Sequence, residues 1–160
     1  SLKDPAALET VDAEDSVMII TEMANNAQGY IEATKIATGT EDEMKFEIHG
    51  SKGAIRFNAM QPHNLEIYNR EEISSPIGGL RGWTKIDIGH RYPAPASSFP
   101  TPKASFGWVR SHVACLHNFL NDCVEGDPGT PGLGQGMHIQ IVMDAVRRSI
   151  DDKKWVSLVN

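Results

Sequence analysis

Apolar and polar residues alternate singly over residues 44–49, which is the period of a β-strand with one apolar and one polar face. The two faces consist of Met44, Phe46 and Ile48 on one side and Lys45, Glu47 and His49 on the other. Residues 50–53, Gly-Ser-Lys-Gly, predict a turn, because glycines can take positive φ without steric cost. Alternation resumes at Ile55 and Phe57. The pattern predicts a β-hairpin whose apolar face must be covered by another element.

Five further segments have the pattern of strands. Two of them are separated by Asn25-Asn26, a turn signal, and are predicted to form a first hairpin. The five segments are Val17–Met23, Gln28–Lys35, 65–68, 83–88 and a short closing strand at Trp155–Leu158. Residues 90–102 contain four prolines and are predicted to run extended over the surface as a loop.

Two amphipathic helices are predicted in the last third, over about residues 106–125 and 135–150, with the first ending at Gly126. Their apolar stripes are Val109, Val113, Leu116, Leu120 and Cys123 on the first helix and Ile139, Val142, Met143, Val146 and Ile150 on the second. The sequence therefore predicts a single α+β domain over residues 1–160. It would be an open, largely antiparallel or mixed β-sheet with the helices packed on one face.

Charge, the first residues and the cysteine spacing limit the partners and the cellular location that we expect for this chain. The chain has 160 residues and a net charge of −6, which argues against nucleic acid and anionic membrane surfaces as partners. We expect no signal peptide, because the first residues are polar and acidic, and we expect a piece of a longer protein, because the chain lacks an initial Met. Cys115 and Cys123 lie eight residues apart on one helix, too far for a disulfide. This favours reduced thiols and a cytoplasmic location.

The glycine-rich segment 131–136, PGLGQG, precedes a helix and could suggest a dinucleotide-binding loop. We reject this interpretation because the spacing is GxGxG, no strand precedes the segment, and the surroundings lack a βαβ pattern. We therefore expect neither a cofactor nor a metal site within this chain.

Three groups of polar residues are candidates for binding. Lys35, Thr38 and Thr40 combine an ammonium with two hydroxyls near the end of a strand, which would suit a polyhydroxylated ligand, although plain surface is the simpler interpretation. His90 and Tyr92 either pack the proline-rich loop or contact a polar ligand. His112 lies within the apolar stripe of the first helix and is more typical of a core histidine. The residues alone indicate an acidic α+β domain without a self-sufficient catalytic set.

The order of these signals resembles the C-terminal domain of the glucose-fructose oxidoreductase, inositol dehydrogenase and rhizopine-catabolism (Gfo/Idh/MocA) family of NAD(P)-dependent oxidoreductases. The resemblance covers nearly the whole chain and is carried by Asp15, Asn26, Gly29, Lys35, Gly39, the turn 50–53, the loop 90–93, Gly107-Trp108 and residues 117–158. Complete members also have a Rossmann glycine fingerprint, a Glu-Lys-Pro segment with a catalytic Lys, and an Asp-x-x-x-His helix. This chain has none of the three, so we expect it to lack the N-terminal nucleotide-binding domain.

The resemblance implies the substrate-side and oligomerisation domain of an enzyme that transfers hydride between NAD or NADP and a sugar, inositol or related polyol. It also implies that Lys35, Thr38 and Thr40, then His90 and Tyr92, and last His112 contact substrate. The implied partners are the N-terminal Rossmann domain of the same protein and further copies in a homo-dimer or tetramer, through the open sheet face along Lys45, Glu47 and His49. The isolated chain would be inactive and bind no cofactor. A non-catalytic regulatory or ligand-binding module on the same scaffold and a pure dimerisation domain remain alternatives.

Overall fold

The computed structural model describes residues 10–98, 101 and 107–158. These residues divide into two compact units. One comprises the described parts of Ser1–Thr40 and Gln140–Asn160, and the other comprises the described residues of Glu41–Ile139.

The first unit contains the hairpin of β1 (Ser16–Glu22) and β2 (Gln28–Thr34), which pair antiparallel along their whole length. Asn26 occupies the left-handed region with φ of 62°, and the Met23 amide donates to the carbonyl of Ala27 at 2.8 Å to close the turn. An Asn can occupy this region at low cost because its short polar side chain bonds locally. The predicted first hairpin and its turn are confirmed.

The second unit contains a four-stranded antiparallel sheet in the order β3-β4-β5-β6. The strands are β3 (Lys45–His49), β4 (Gly53–Asn58), β5 (Asn64–Asn69) and β6 (Trp83–Asp87). Each strand pairs with the next along the chain, and the register places apolar residues opposite one another on one face, as in Phe46 opposite Phe57 and Ile48 opposite Ile55. The rings of Phe46 and Phe57 lie 5.8 Å apart. The other face is polar, so the predicted alternation is confirmed.

The predicted turn between β3 and β4 is present, and the Gly50 amide donates to the Gly53 carbonyl across it at 2.8 Å. Neither Gly50 nor Gly53 has a positive φ. Gly53 is needed for a different reason, since a Cβ at this position would overlap the carbonyl oxygen of Tyr68 on β5. The glycine therefore allows β4 to approach β5 closely.

The proline-rich loop was also predicted incorrectly over its described part. Residues 90–98 form successive turns, in which the amides of Arg91 and Ser97 donate to the carbonyls of Ile88 and Pro93 at 2.8 and 3.2 Å. Proline favours turns as readily as extended chain, and these turns bury Ala96. Residues 99, 100 and 102 of the predicted loop lie outside the described residues.

The two predicted helices are present as α1 (Trp108–Glu125) and α2 (Leu133–Asp152). Position 106, where the first helix was predicted to begin, lies outside the described residues. Gly126 ends α1 in the left-handed conformation with φ of 72°, as predicted. The apolar stripe of α1 is largely exposed, with Val109, Leu116 and Leu120 at 71%, 59% and 53% of their full accessibility. Cys115 and Cys123 are exposed free thiols.

The α+β class, with open antiparallel sheets and two helices, is confirmed. The predicted closing strand is wrong, because residues 155–158 belong to no strand. A run of four residues can be extended without a partner strand, and pattern alone does not distinguish the two cases. Among the described residues, neither helix is long and apolar enough to cross a membrane.

Candidate functional site

Lys35 and Asp15 form a charged pair at the open end of the β1–β2 hairpin. Asp15 precedes β1 and Lys35 follows β2, so the two strands bring their ends together. The Lys35 amide donates to the Asp15 carbonyl at 3.0 Å, and the Lys35 Nζ lies 3.0 Å from the Asp15 Oδ1. The side chains remain 61% and 47% exposed. The arrangement therefore presents a hydrogen-bond donor and an acceptor side by side to solvent.

An open depression of about 350 Å³ borders this pair. It is lined by Glu14, Asp15, Ser16, Val17, Ala33, Thr34 and Lys35. Arg147 of α2, which lies in the same unit, approaches the Glu14 carboxylate at 3.7 Å. The depression is shallow and open to solvent, and it places short apolar side chains next to the charged pair.

Thr38 and Thr40 lie in the turn that follows β2. The Thr40 amide donates to the Ala37 carbonyl at 3.1 Å, and Gly39 between the threonines has φ of 92°. Both threonines are exposed, so their side chains are accessible to a ligand. The predicted trio of Lys35, Thr38 and Thr40 thus lies within a single unit, on one short segment after the strand.

His90 and Tyr92 belong to a corner of the second unit where the end of β6 meets the loop before β5. The Ile88 amide donates to the His63 carbonyl at 2.6 Å, and the Tyr92 hydroxyl donates to the Pro62 carbonyl at 2.7 Å. Burial raises the pKa of Tyr92. Tyr92 therefore anchors the loop through its hydroxyl, while His90 is exposed.

His112 lies on α1 and is exposed, so the prediction of a core position is wrong. Its ring lies 6.3 Å from the ring of Trp108, one helical turn earlier. The apolar stripe of α1 is itself exposed, and for this reason a residue within the stripe is not buried.

The sequence did not single out Asp15 or the 62–63 corner as parts of the site. Asp15 could have been found from its position, because an acidic residue just before β1 must face the residue just after β2 in a two-strand hairpin. The partner of Tyr92 could not, since Pro62 is thirty residues away and offers only a backbone carbonyl. Every residue has a main-chain carbonyl, so the sequence pattern does not show which carbonyl will accept a hydrogen bond.

The glycine-rich segment 131–136 does not have the arrangement of a dinucleotide-binding loop. The glycine-rich segment 131–136 connects the end of α1 to the start of α2 rather than a strand to a helix. The Gly132 amide donates to the Gln135 Oε1 at 2.9 Å, so the start of α2 is capped by its own side chain. No group of three or more His, Cys, Asp or Glu residues within the described ranges is arranged to hold a metal ion.

The comparisons of this chain with known proteins agree on one family. The model of the oxidoreductase family C-terminal alpha/beta domain, GFO_IDH_MocA_C, matches residues 2–158. The chain is 29% identical over 148 residues to levoglucosan dehydrogenase of Pseudarthrobacter phenanthrenivorans, a match that covers 92% of this chain and 37% of that protein. It is 23% identical over 144 residues to inositol 2-dehydrogenase of Rhizobium meliloti, covering 90% of this chain and 37% of that protein.

The fold is also similar to a solved structure of levoglucosan dehydrogenase in complex with NADH and levoglucosan. The TM-score is 0.81 and the identity is 28%, over 92% of this chain and 39% of that one. The chain therefore spans well under half the length of the relatives that it matches.

Proposed function

This chain belongs to the Gfo/Idh/MocA oxidoreductase family as a C-terminal alpha/beta domain, and we propose that it is the substrate-side and oligomerisation domain of an NAD(P)-dependent oxidoreductase. The substrate of the whole protein would be a sugar, inositol or related polyol. Relatives named for levoglucosan and for inositol support this class of substrate.

The observation that carries the proposal is the exposed Lys35–Asp15 pair beside its depression. Two neighbouring hydroxyls of a polyol each donate and accept a hydrogen bond. An ammonium that only donates, placed 3.0 Å from a carboxylate that only accepts, matches such a pair of hydroxyls. Hydrogen bonds to charged groups are stronger than neutral ones, so this pair would contribute more to substrate binding than the threonines.

The other candidate residues are proposed to contribute less to substrate binding than Lys35 and Asp15. Thr38 and Thr40 would add neutral hydrogen bonds from the turn after β2. His90 would contact substrate from its corner, with Tyr92 holding that corner in place through Pro62. His112 ranks last, because its ring contact ties it to Trp108 on the same helix face.

The NAD or NADP site would be formed by the N-terminal Rossmann domain of the same protein, and the cofactor supplies the hydride chemistry there. The part proposed for this chain is to hold hydroxyl groups at the Lys35 end of the hairpin. Taken alone, the chain would bind no cofactor and catalyse no oxidoreduction.

Two surfaces would serve the proposed partners. The exposed apolar stripe of α1, with Val109, Leu116 and Leu120, is suited to packing against another folded domain. The polar face of the four-stranded sheet, which includes Lys45, Glu47 and His49, is proposed to join copies of the protein in a dimer or tetramer. A cytoplasmic location belongs to the same proposal and is consistent with the free thiols.

The test is Lys35→Ala in the full-length protein, assayed with NAD and NADP against sugars and inositols. We expect KM for the substrate to rise about 10- to 100-fold, the range for a lost hydrogen bond to a charged group. Cofactor affinity, measured by calorimetry, should not change. Lys154→Ala is the matched control, because Lys154 is similarly exposed and forms a 3.0 Å ion pair with Asp152.

Each outcome separates the alternatives. An unchanged KM in Lys35→Ala would remove Lys35 from the substrate site. A wild-type protein that binds a polyol without turning it over would instead support the non-catalytic binding module. Turnover that survives Lys35→Ala, in a protein whose isolated C-terminal domain still dimerises by light scattering, would support a role in dimerisation alone.

A further inference from the structure

Two positive and two negative side chains surround the depression at the open end of the β1–β2 hairpin. Glu14, Asp15 and Lys35 belong to its lining, and Arg147 of α2 lies 3.7 Å from the Glu14 carboxylate. The four charges therefore sum to zero. All four side chains are between 47% and 73% exposed, so a ligand that enters the depression meets their charges directly.

The two carboxylates are paired with their cations at different distances. Lys35 Nζ lies 3.0 Å from Asp15 Oδ1, which is a close ion pair. Arg147 Nη2 lies 3.7 Å from Glu14 Oε1, which is too far for a hydrogen bond. Arg147 therefore attracts the Glu14 carboxylate but leaves it able to accept hydrogen bonds from a ligand.

An uncharged polyol suits both the polar and the apolar parts of this lining. A hydroxyl group donates to a carboxylate and accepts from an ammonium, so a polyol can contact both kinds of charge without carrying one. Val17 and Ala33 are opposite each other in the hairpin and also line the depression. They offer apolar contact to the carbon atoms that carry the hydroxyls.

A ligand with a carboxylate or a phosphate group meets a less favourable balance. Such an anion needs a cation, and both cations beside the depression already have a carboxylate next to them. An anion that pairs with Lys35 must displace Asp15 and then lies close to two carboxylates. Like charges brought together are unfavourable, and a repulsive group is one of the two ways in which a binding site rejects a wrong ligand.

We propose that Glu14 is a specificity-determining residue, which restricts the depression to uncharged polyols and excludes sugar acids and sugar phosphates. This inference rests on the substrate role proposed above for Lys35 and Asp15, and it narrows their class of substrate. The charge of Asp15 is offset by Lys35 in close contact. Glu14 is farther from its cation, so more of its field acts on a ligand.

The test is Glu14→Gln in the full-length protein, assayed with matched uncharged and anionic compounds. The pair consists of the sugar or inositol that the wild-type protein uses best and its derivative with a carboxylate or phosphate, such as glucose with glucuronate or inositol with its monophosphate. The readout is the ratio of kcat/KM for the anionic compound to that for the uncharged one, or the ratio of inhibition constants where the anion is not turned over.

Glutamine keeps the size of Glu14 and one acceptor oxygen, and it removes the charge. We expect Glu14→Gln to raise the relative use of the anionic compound about 3- to 10-fold, as for the loss of one repulsive charge about 5 Å away near a protein surface. In the wild-type protein, high salt should also raise this ratio, because salt screens the repulsion. The effect of salt should be smaller in the variant.

Arg147→Gln should shift the ratio in the opposite direction. This substitution removes the cation that partly offsets Glu14, so the repulsion of an anion increases. We expect the relative use of the anionic compound to fall about 2- to 5-fold. A loss of folded protein changes both compounds of a pair alike, so it cannot produce opposite shifts in the two variants.

Glu22→Gln is the matched control, because it removes the same charge from the other end of the same hairpin. Glu22 is exposed and lies six residues after Ser16 along β1. At about 3.3 Å per residue, it lies about 20 Å from the open end. This distance exceeds the screening length of about 8 Å at physiological ionic strength. The ratio should therefore stay unchanged, which separates the local charge of Glu14 from the net charge of the protein.

The outcomes distinguish this inference from the function on which it rests. An unchanged ratio in Glu14→Gln, or a wild-type protein that uses the anionic compound as well as the uncharged one, would overturn the role of Glu14, even where Lys35→Ala still raises KM for the polyol. If Lys35→Ala leaves KM unchanged, the depression is not the substrate site, and the proposed role of the pair fails together with this inference.

Discussion

The β1–β2 hairpin and the four-stranded sheet are built from strands of similar length, yet they differ in what holds the strands together. In the sheet, side chains contact each other across strands on both faces, through Phe46 and Phe57 on one side and Arg56 and Glu66 on the other. In the hairpin, the ion pair between Lys35 and Asp15 lies at the open end, beyond the paired residues.

Apolar residues of the hairpin are also more exposed than those of the sheet, where Phe46 and Ile48 are 46% and 57% exposed. Ile20 and Tyr30 are opposite each other in the hairpin and are 69% and 70% exposed. Isolated two-stranded hairpins are marginally stable in water, whereas three or more strands with an apolar face can be stable. The hairpin therefore depends on support from elsewhere in the protein, while the sheet supplies much of its own support through cross-strand pairs of about 0.2–1 kcal/mol each.

The weaker support of the hairpin bears on function, because Lys35 and Asp15, the proposed substrate-binding pair, lie at its open end. Binding residues are often found on parts of a protein that open locally at low free energy. A ligand that bridges Lys35 and Asp15 would tie the ends of β1 and β2 together. The four-stranded sheet, by contrast, has the Arg56–Glu66 ion pair between its central strands.

The largest effect should come from Gly53→Ala in the sheet. The added Cβ would overlap the Tyr68 carbonyl oxygen, which is main chain and cannot move alone, so β4 must shift away from β5. We expect the free energy of unfolding of the full-length protein to fall by about 1–3 kcal/mol, the usual range for forced backbone shifts. Thermal and denaturant unfolding would measure this loss.

Gly50→Ala is the control in the same turn. Its Cβ would lie 3.5 Å from the Gly53 carbonyl oxygen, an ordinary contact, and its φ is not positive. We expect less than about 0.5 kcal/mol of change, as for most surface substitutions. Equal losses at the two glycines would show that the close approach of β4 and β5 is not what requires Gly53.

A smaller and more local effect is expected from Asn26→Ala in the turn of the hairpin. Alanine in the left-handed region costs about 1 kcal/mol relative to residues that tolerate it. Because the hairpin is supported weakly, this loss should increase amide hydrogen exchange in β1 and β2 and change the global unfolding midpoint little. Asn26→Gly is the control and should leave exchange close to that of the wild type.

If the comparison is wrong and the hairpin is as well supported as the sheet, Asn26→Ala would lower the global midpoint by the amount expected for Gly53→Ala. Exchange would then rise together in β1 and in the four-stranded sheet.

Sequence pattern predicted the elements of this chain better than it predicted their connections. Strict alternation and the Asn25-Asn26 signal located the strands to within a residue or two, since period and turn chemistry are local properties. The reason for Gly53 was not accessible, because it depends on a carbonyl of a strand paired with it fifteen residues later. The loop over 90–98 was misjudged, since proline restricts φ but does not choose between turns and extended chain.

The candidate site could be predicted only in part, because some of its residues are close in sequence and others meet only through strand pairing. Lys35, Thr38 and Thr40 are close in sequence, so their common location follows from the chain itself. Asp15 completes the pair only because β1 and β2 are antiparallel. A substrate contact from Tyr92 stays a prediction. The Tyr92 hydroxyl donates to the Pro62 carbonyl, and the pattern of side chains could not reveal this partner.

The smallest effect concerns the central ion pair of the sheet at low pH. Hydrogen bonding from Arg56 lowers the pKa of Glu66. A carboxyl whose pKa is lower in the folded state than in the unfolded state stabilises the fold above the unfolded value, and this stabilisation is lost as pH falls through the folded value. We therefore expect the pair to lose its contribution below about pH 4, where carboxylates take up protons.

Glu66→Gln isolates this contribution, since glutamine has the same shape and does not titrate. The unfolding midpoint of the wild type should exceed that of the variant at about pH 6, and the difference should shrink progressively as pH falls below about 4. Because both side chains are partly exposed, the difference should be the smallest of those considered for the sheet. A difference that does not change over this pH range would mean that Glu66 supports the sheet through packing and not through its charge. The packing partner would be Arg56, which lies over the Trp83 ring.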